Sequence, residues 1–366
     1  MIGHCYIQGV EKHIKAIYVG VNGVAKCIRR PSGIYKYSGS VENLSAKRYK
    51  FGVATVGDKY ALFAGGYDGN NSEVTGATVD GYDNLLTKIT VTNLSKYRSD
   101  LAGATNNYYA LFAGGNCSVS GEVNTVDAYN TGLTRTTPTV LGTAVQNLSG
   151  TRVEDYALFA GGLGYNGRCY SRVYAYNKSL TRTDLSNLSE SKYNFASTTV
   201  GNYALFGGGE GSEMSSRFDT VDGYTESLTK TTLTNLSTPR KLLASTTVGN
   251  YALFAGGYDA DGYSNKIDVY DSSLTKMTLI SLSTVRDTMG ATTVSNYALF
   301  AGGYGGADGR LDTIDVYDSS LTRSTTDKLS CKKNFFRGIT IGNYALFASG
   351  ITAGDASKVD AYNYEA

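Results

Sequence analysis

Histidine is nearly missing: among 366 residues only His4 and His13 carry an imidazole, and both precede the repeated part of the chain. The repeats therefore hold no histidine base, no imidazole metal cluster and no Ser-His-Asp arrangement. The five cysteines (Cys5, Cys27, Cys117, Cys169, Cys331) are odd in number and lack a C-x-x-C spacing. Reduced thiols are expected rather than a disulfide framework. No apolar run is long enough to cross a bilayer, so no membrane insertion is expected. The first thirty residues lack the apolar core of a signal peptide, and cytoplasmic synthesis is the expectation. Neither charge dominates, with 34 Lys and Arg against 32 Asp and Glu and a net charge of +2. That balance leaves no bulk field for nucleic acid. Asn-Leu-Ser triplets such as residues 93–95 match a glycosylation sequon, but at a recurring repeat position they read as turn chemistry.

What the chain has in abundance is repetition. Tyr-Ala-Leu-Phe-Ala-Gly-Gly stands at residues 60–66, and copies begin at Tyr109, Tyr156, Tyr203, Tyr251, Tyr297 and Tyr344. Successive starts lie 49, 47, 47, 48, 46 and 47 residues apart. Each copy is followed by Val-Asp-x-Tyr, then Leu-Thr-Lys/Arg, then Leu-Ser and a basic residue, with local departures. Between Gly, Asn, Asp and Ser turns this gives four short β-prone segments per repeat. The Tyr-Ala-Leu-Phe-Ala segment is apolar on both faces, as a strand covered on both sides would be. Four strands in a unit of this length predict a β-propeller blade.

The order of basic residue, strand, Gly-Gly and Asp-x-Tyr resembles the kelch repeat over residues 31–366. The resemblance implies an all-β, seven-bladed kelch-like propeller of four-stranded blades. The tryptophan that kelch repeats usually carry on the outermost strand is absent here.

The ends complement each other. Residues 34–45 read as a fourth strand without its first three, and the chain stops at a third strand, residues 359–362. Joined, they make one blade and close the ring without exposed edges. Residues 34–366 are thus expected to form the propeller. Residues 1–33 read as a separate hairpin and attachment segment, with Asn22-Gly23 as the turn. Residues 17–25 resemble a short module at the start of phage structural and Clostridia-type repeat proteins, which implies docking into a larger assembly.

Length variation is confined. Segments 67–78, 116–125, 163–172, 210–220, 258–266, 304–313 and 351–358 contain 12, 10, 10, 11, 9, 10 and 8 residues, and outside them every repeat spacing is 37. These segments join the second strand to the third, and in repeat proteins such variation maps to one face, often the binding face. Short turns after the first and third strands, with Gly and Asn supplying positive φ, place the variable loops and the Leu-Ser connection together on the opposite face.

Two residue sets are candidate ligand contacts. Arg48, Arg98, Lys192, Arg240, Arg286 and Lys333 recur before the first strand, with Val145 in the third repeat's place. From the kelch resemblance they are expected near the channel mouth, as a positive ring for carboxylates, sulfates or acidic sugars; the alternative is pairing with nearby aspartates or carbonyls. The Val-Asp-x-Tyr aspartates recur too, with Tyr174 in the third repeat, and read as buried hydrogen-bonding groups. The second set does not recur: Tyr67, Asp68, Glu73, Tyr165, Arg168, Tyr170, Glu213, Arg217, Phe218, Asp259, Asp261, Tyr263, Tyr304, Asp308 and Arg310 in the variable loops. Tyrosines beside Asp and Arg suit sugar or protein recognition. Residues 259–262 resemble the start of a calcium loop but lack its later ligands, so no metal or other cofactor is expected.

The expectation is a non-enzymatic module that binds a glycan or protein through its variable-loop face, either within a phage tail, and then virion-associated, or within a bacterial surface structure. A sugar mutarotase or epimerase at the channel mouth is the alternative enzyme, and an intracellular interaction scaffold is a third reading.

Overall fold

The computed structural model describes the chain apart from residues 1–3, 8–9, 14–16, 22–23, 30–32, 38, 40, 71–72, 214–215 and 366. Seven four-stranded antiparallel sheets form a seven-bladed β-propeller. Blade 5 is representative: from the channel outward its strands are Ala244–Val248, Tyr251–Ala255, Ile267–Asp271 and Lys276–Thr278. The inner strand alternates buried and half-buried residues. The second strand is buried from its second residue onward, as its two-sided apolarity requires.

The core lies between blades. One buried cluster joins Leu253, Ile267 and Val269 of blade 5 to Ala298, Phe300 and Tyr317 of blade 6. Within blade 5, Phe254 meets Tyr270 edge-on, with ring centroids 6.0 Å apart. The Tyr270 hydroxyl donates to the Thr234 carbonyl at 2.6 Å, tying the third strand to the incoming connection.

The Gly-Gly doublet answers two demands. Gly256 and Gly257 have φ of 63° and 101°. A Cβ on Gly256 would lie 2.5 Å from the Arg286 carbonyl oxygen of the next blade. Blade 7 puts Ser349 at the first of these places, where its hydroxyl accepts the Arg48 N–H at 3.0 Å.

The turns after the third strand depart from expectation. Their positive φ is carried by leucine, as at Leu274 (φ 62°), and not by Gly or Asn. Asp271 accepts the N–H groups of Ser273 and Thr275 at 2.9 and 2.8 Å, which holds the turn while Leu274 tucks against the core.

The last sheet is closed by the chain's beginning. Gly33–Lys36 pairs with Val359–Glu365, Lys36 opposite Tyr362 and Ile34 opposite Tyr364. Ahead of it, His4–Ile7 pairs with Val10–His13, and Ile17–Val21 with Val24–Arg29. The expected Asn22-Gly23 turn lies outside the described residues.

Candidate functional site

The six recurrent basic residues do not line the channel mouth. Arg48 and Arg98 are 1 % exposed, and Lys192, Arg240, Arg286 and Lys333 are 0 % exposed. Each points into its own blade at the Val-Asp-x-Tyr aspartate: Arg48 to Asp80 at 2.7 Å, Arg98 to Asp127 at 2.9 Å, Arg240 to Asp268 and Arg286 to Asp315 at 2.6 Å, and Lys333 to Asp360 at 3.0 Å. Lys192 and Asp222 are looser at 3.9 Å, and burial pulls that ammonium down to about 8.

Further groups complete each clasp. Asp268 also accepts the Ser237 N–H at 2.9 Å and faces Lys276 of the outer strand at 3.1 Å. Arg286 donates to the Thr313 and Phe300 carbonyls at 3.1 and 3.2 Å. Burial lowers the arginine pKa values while the partner aspartates raise them. A cation so enclosed and paired has no surface to offer a ligand, so the basic ring is corrected to a set of intrablade clasps.

The variable loops do lie on one face beside the incoming connections, as isolated bridges from Tyr49 to Tyr67, Lys241 to Tyr258 and Asp287 to Tyr304 show. Across the loops of blades 4, 5 and 6 the side chains form a continuous aromatic run. Arg217 lies over the Tyr258 ring at 5.2 Å, Tyr258 meets Tyr263 edge-on at 5.1 Å, and Tyr263 meets Tyr304 at 5.6 Å. Charged groups border it: Lys241 pairs with Glu210 at 2.5 Å, and Asp287 accepts the Thr288 hydroxyl at 2.9 Å. Burial pushes the Asp287 carboxyl up to about 6. Tyr258 escaped the sequence reading, although it follows Gly-Gly as Tyr67 and Tyr304 do.

The other loop residues stand apart from this run. Tyr67 packs edge-on against Tyr49 at 5.3 Å, and Asp68 accepts the Asn70 N–H at 2.8 Å. Tyr165 is 77 % exposed on a 3-10 turn, while Arg168 lies over Tyr170 at 5.4 Å. Phe218 is half-buried and its N–H donates to Gly209 at 2.9 Å. Arg310 donates to Asn334 at 3.2 Å. Asp261, Asp308 and Glu213 are exposed. Asp259 is not available to a ligand: it is 5 % exposed, accepts the Asp261 N–H at 2.9 Å and faces Lys266 at 3.5 Å. Its loop is an Asx turn, and among the described residues no three His, Cys, Asp or Glu gather as metal ligands.

A second feature of this face went unread in the sequence. Two places after each basic position stand Lys50, Asp100, Asn147, Asn194, Leu242, Thr288 and Phe335, all with φ between 48° and 58°. Left-handed backbone costs non-glycine residues ~1–2 kcal/mol each. Here it turns the N–H of blades 2 to 7 toward the preceding blade: Asp100 to Lys50 at 2.8 Å, Asn147 to Asp100 at 2.9 Å, and onward to Phe335 to Thr288 at 3.0 Å. The seven residues line a mouth cavity of about 90 Å³ above a channel cavity of about 240 Å³. The identities vary while the conformation is constant, so only the spacing could have revealed the ring.

No protein-family model and no curated protein matches the chain. Among solved structures it is similar to the one titled "Structure of YjhT", with a TM-score of 0.61 and 12 % identity over 78 % of this chain and 99 % of that chain. At that identity the likeness concerns the fold.

Proposed function

We propose that the chain is a kelch-like, non-enzymatic binding module that recognises a glycan or protein on its variable-loop face. The observation that carries this reading is the Arg217–Tyr258–Tyr263–Tyr304 run, which bridges three blades. Tyrosines combine a flat apolar face with a polar tip, and they hold their shape at little entropic cost. The Lys241–Glu210 pair and Asp287 add polar groups at its border, suiting a hydroxyl-rich ligand. The kelch relationship is supported by the way the basic, Asp-x-Tyr and Leu-Ser markers converge on one clasp in six of the seven blades. Residues 1–33 would then tether the propeller to a larger assembly, such as a phage tail or bacterial surface structure.

A sugar mutarotase or epimerase would place a carboxylate within hydrogen-bond reach of an arginine in an enclosed pocket. Among the described residues, the arginine–carboxylate pairs are the blade clasps and Arg182–Asp184 on an outer strand, which favours binding over turnover.

The test is a glycan array and a pull-down with the intact chain beside Tyr263→Ala/Tyr304→Ala. Binding by the parent chain that drops in the double variant is the expected outcome. Equal binding by both, or binding by neither, overturns the reading.

A further inference from the structure

We infer that the mouth of the central channel is a binding site for a small organic carboxylate, with Arg337 as its cationic partner. The inference goes beyond the rim reading and does not rest on it. The inner strands begin with Gly52, Ala102, Ser149, Ala196, Ala244 and Gly290 in blades 1 to 6, each opposite the last residue of the second strand. Blade 7 puts Arg337 there, opposite Ala348. The small residues fit because the next blade closes on them. A Cβ on Gly52 would lie 3.0 Å from the Phe112 ring, and one on Gly290 would lie 2.6 Å from that of Phe336. An arginine has no such space between blades, and its side chain lines both the mouth and channel cavities.

Arg337 is left short of partners. Its protein acceptor among the described residues is the Phe336 carbonyl at 3.5 Å, and no described carboxylate comes within 4.0 Å. Asp100 acts on it from farther away. Asp100 is already engaged by Lys50 at 3.2 Å and by the Ser99 hydroxyl at 2.8 Å. Arg337 is exposed to the water of the channel, so its guanidinium is solvated and open to a ligand, while the surrounding walls still lower its pKa. Lys50 and Arg337 against Asp100 leave the mouth one positive charge in excess, which matches a monoanion. A guanidinium fork takes a carboxylate through two parallel hydrogen bonds. Next to this charge lie Leu242 and Phe335, so the ligand's body meets apolar as well as polar wall.

The probes are glucuronate and glucose, which differ in the carboxylate, titrated calorimetrically into the intact chain. The parent chain should bind glucuronate more tightly than glucose. Arg337→Gln should weaken glucuronate by about tenfold or more, the loss of a charge-assisted hydrogen bond. Arg337→Lys should recover part of that loss. Denaturant midpoints establish that each variant is folded. Arg337→Gln should cause the same fold loss of glucuronate affinity in the Tyr263→Ala/Tyr304→Ala background as in the parent, which separates this site from the rim reading. Glucuronate binding no tighter than glucose, or undiminished in a folded Arg337→Gln, overturns the inference.

Discussion

Val145 and Tyr174 share one buried cluster in blade 3, at the two places that a basic residue and an aspartate take in the other six blades. The Tyr174 hydroxyl meets Thr143 at 2.8 Å, replacing the serine-to-aspartate bond of the other clasps. Arg182 of the outer strand then lies over the Tyr174 ring at 5.3 Å. Both partners differ together, so the blade keeps its fold with no buried charge.

That substitution sets the first prediction. Asp268→Ala leaves Arg240 buried without its counter-ion and should cost about 3–5 kcal/mol. Arg240→Val/Asp268→Tyr, copying blade 3, should cost clearly less than the sum of its single changes. Urea unfolding of the four proteins measures the coupling. Additive losses would show that the clasp is not a two-residue unit.

The fold was legible because its markers recur in the same order in every blade, with a constant 37 residues outside the variable loop. Tyr251, Asp268, Arg240 and Ser237 stand at repeat positions, and their convergence is what makes a blade. Ring closure by residues near 34 was legible for the same reason, as a strand lacking its partners. Direction was not legible: an arginine near a channel mouth can point out to solvent or back into its blade. Arg240 points back because Asp268 and the Lys266 carbonyl (2.9 Å) receive it there. Lys50, Asp100 and Phe335 were hidden for the opposite reason, since they share a backbone conformation and no side-chain chemistry.

Closure makes the second prediction. Ile34 is 6 % exposed within a cluster that includes Phe347 and Tyr362. Deleting residues 1–32 spares this strand and should leave the propeller folded and monodisperse. Deleting residues 1–36 bares the edge of Val359–Glu365 and should produce association by edge pairing. Size-exclusion chromatography with light scattering distinguishes them, and identical profiles would count against closure by this strand.

Asp287 supplies a pH dependence. Burial raises its carboxyl from 3.8 to about 6, so between those values the folded chain holds the proton more tightly than the unfolded one. Stability from this group is therefore present at and below the unfolded value and declines as pH rises toward 6, by at most about 3 kcal/mol. Asp287→Asn should flatten that part of the curve. Denaturant midpoints at pH 4, 5, 6 and 7 check it, and an unchanged slope in the variant would rule Asp287 out as its source.

Two glycines of blade 5 separate backbone strain from collision. Gly257 and Gly262 have similar φ, 101° and 113°. A Cβ on Gly262 meets nothing within 4 Å, whereas one on Gly257 lies 2.6 Å from the Lys241 carbonyl oxygen. Gly262→Ala should therefore cost only the conformational penalty, about 1–2 kcal/mol. Gly257→Ala must in addition push apart the Tyr258 N–H to Lys241 carbonyl bond, 2.8 Å long, and should cost about 1–3 kcal/mol more. Because that bond seats Tyr258 beneath Arg217, Gly257→Ala should also weaken any ligand held by the tyrosine run, while Gly262→Ala leaves more of it intact. Unfolding midpoints and array binding on both variants test the pair; equal losses would mean that the loop yields as a whole and that the carbonyl contact does not anchor it.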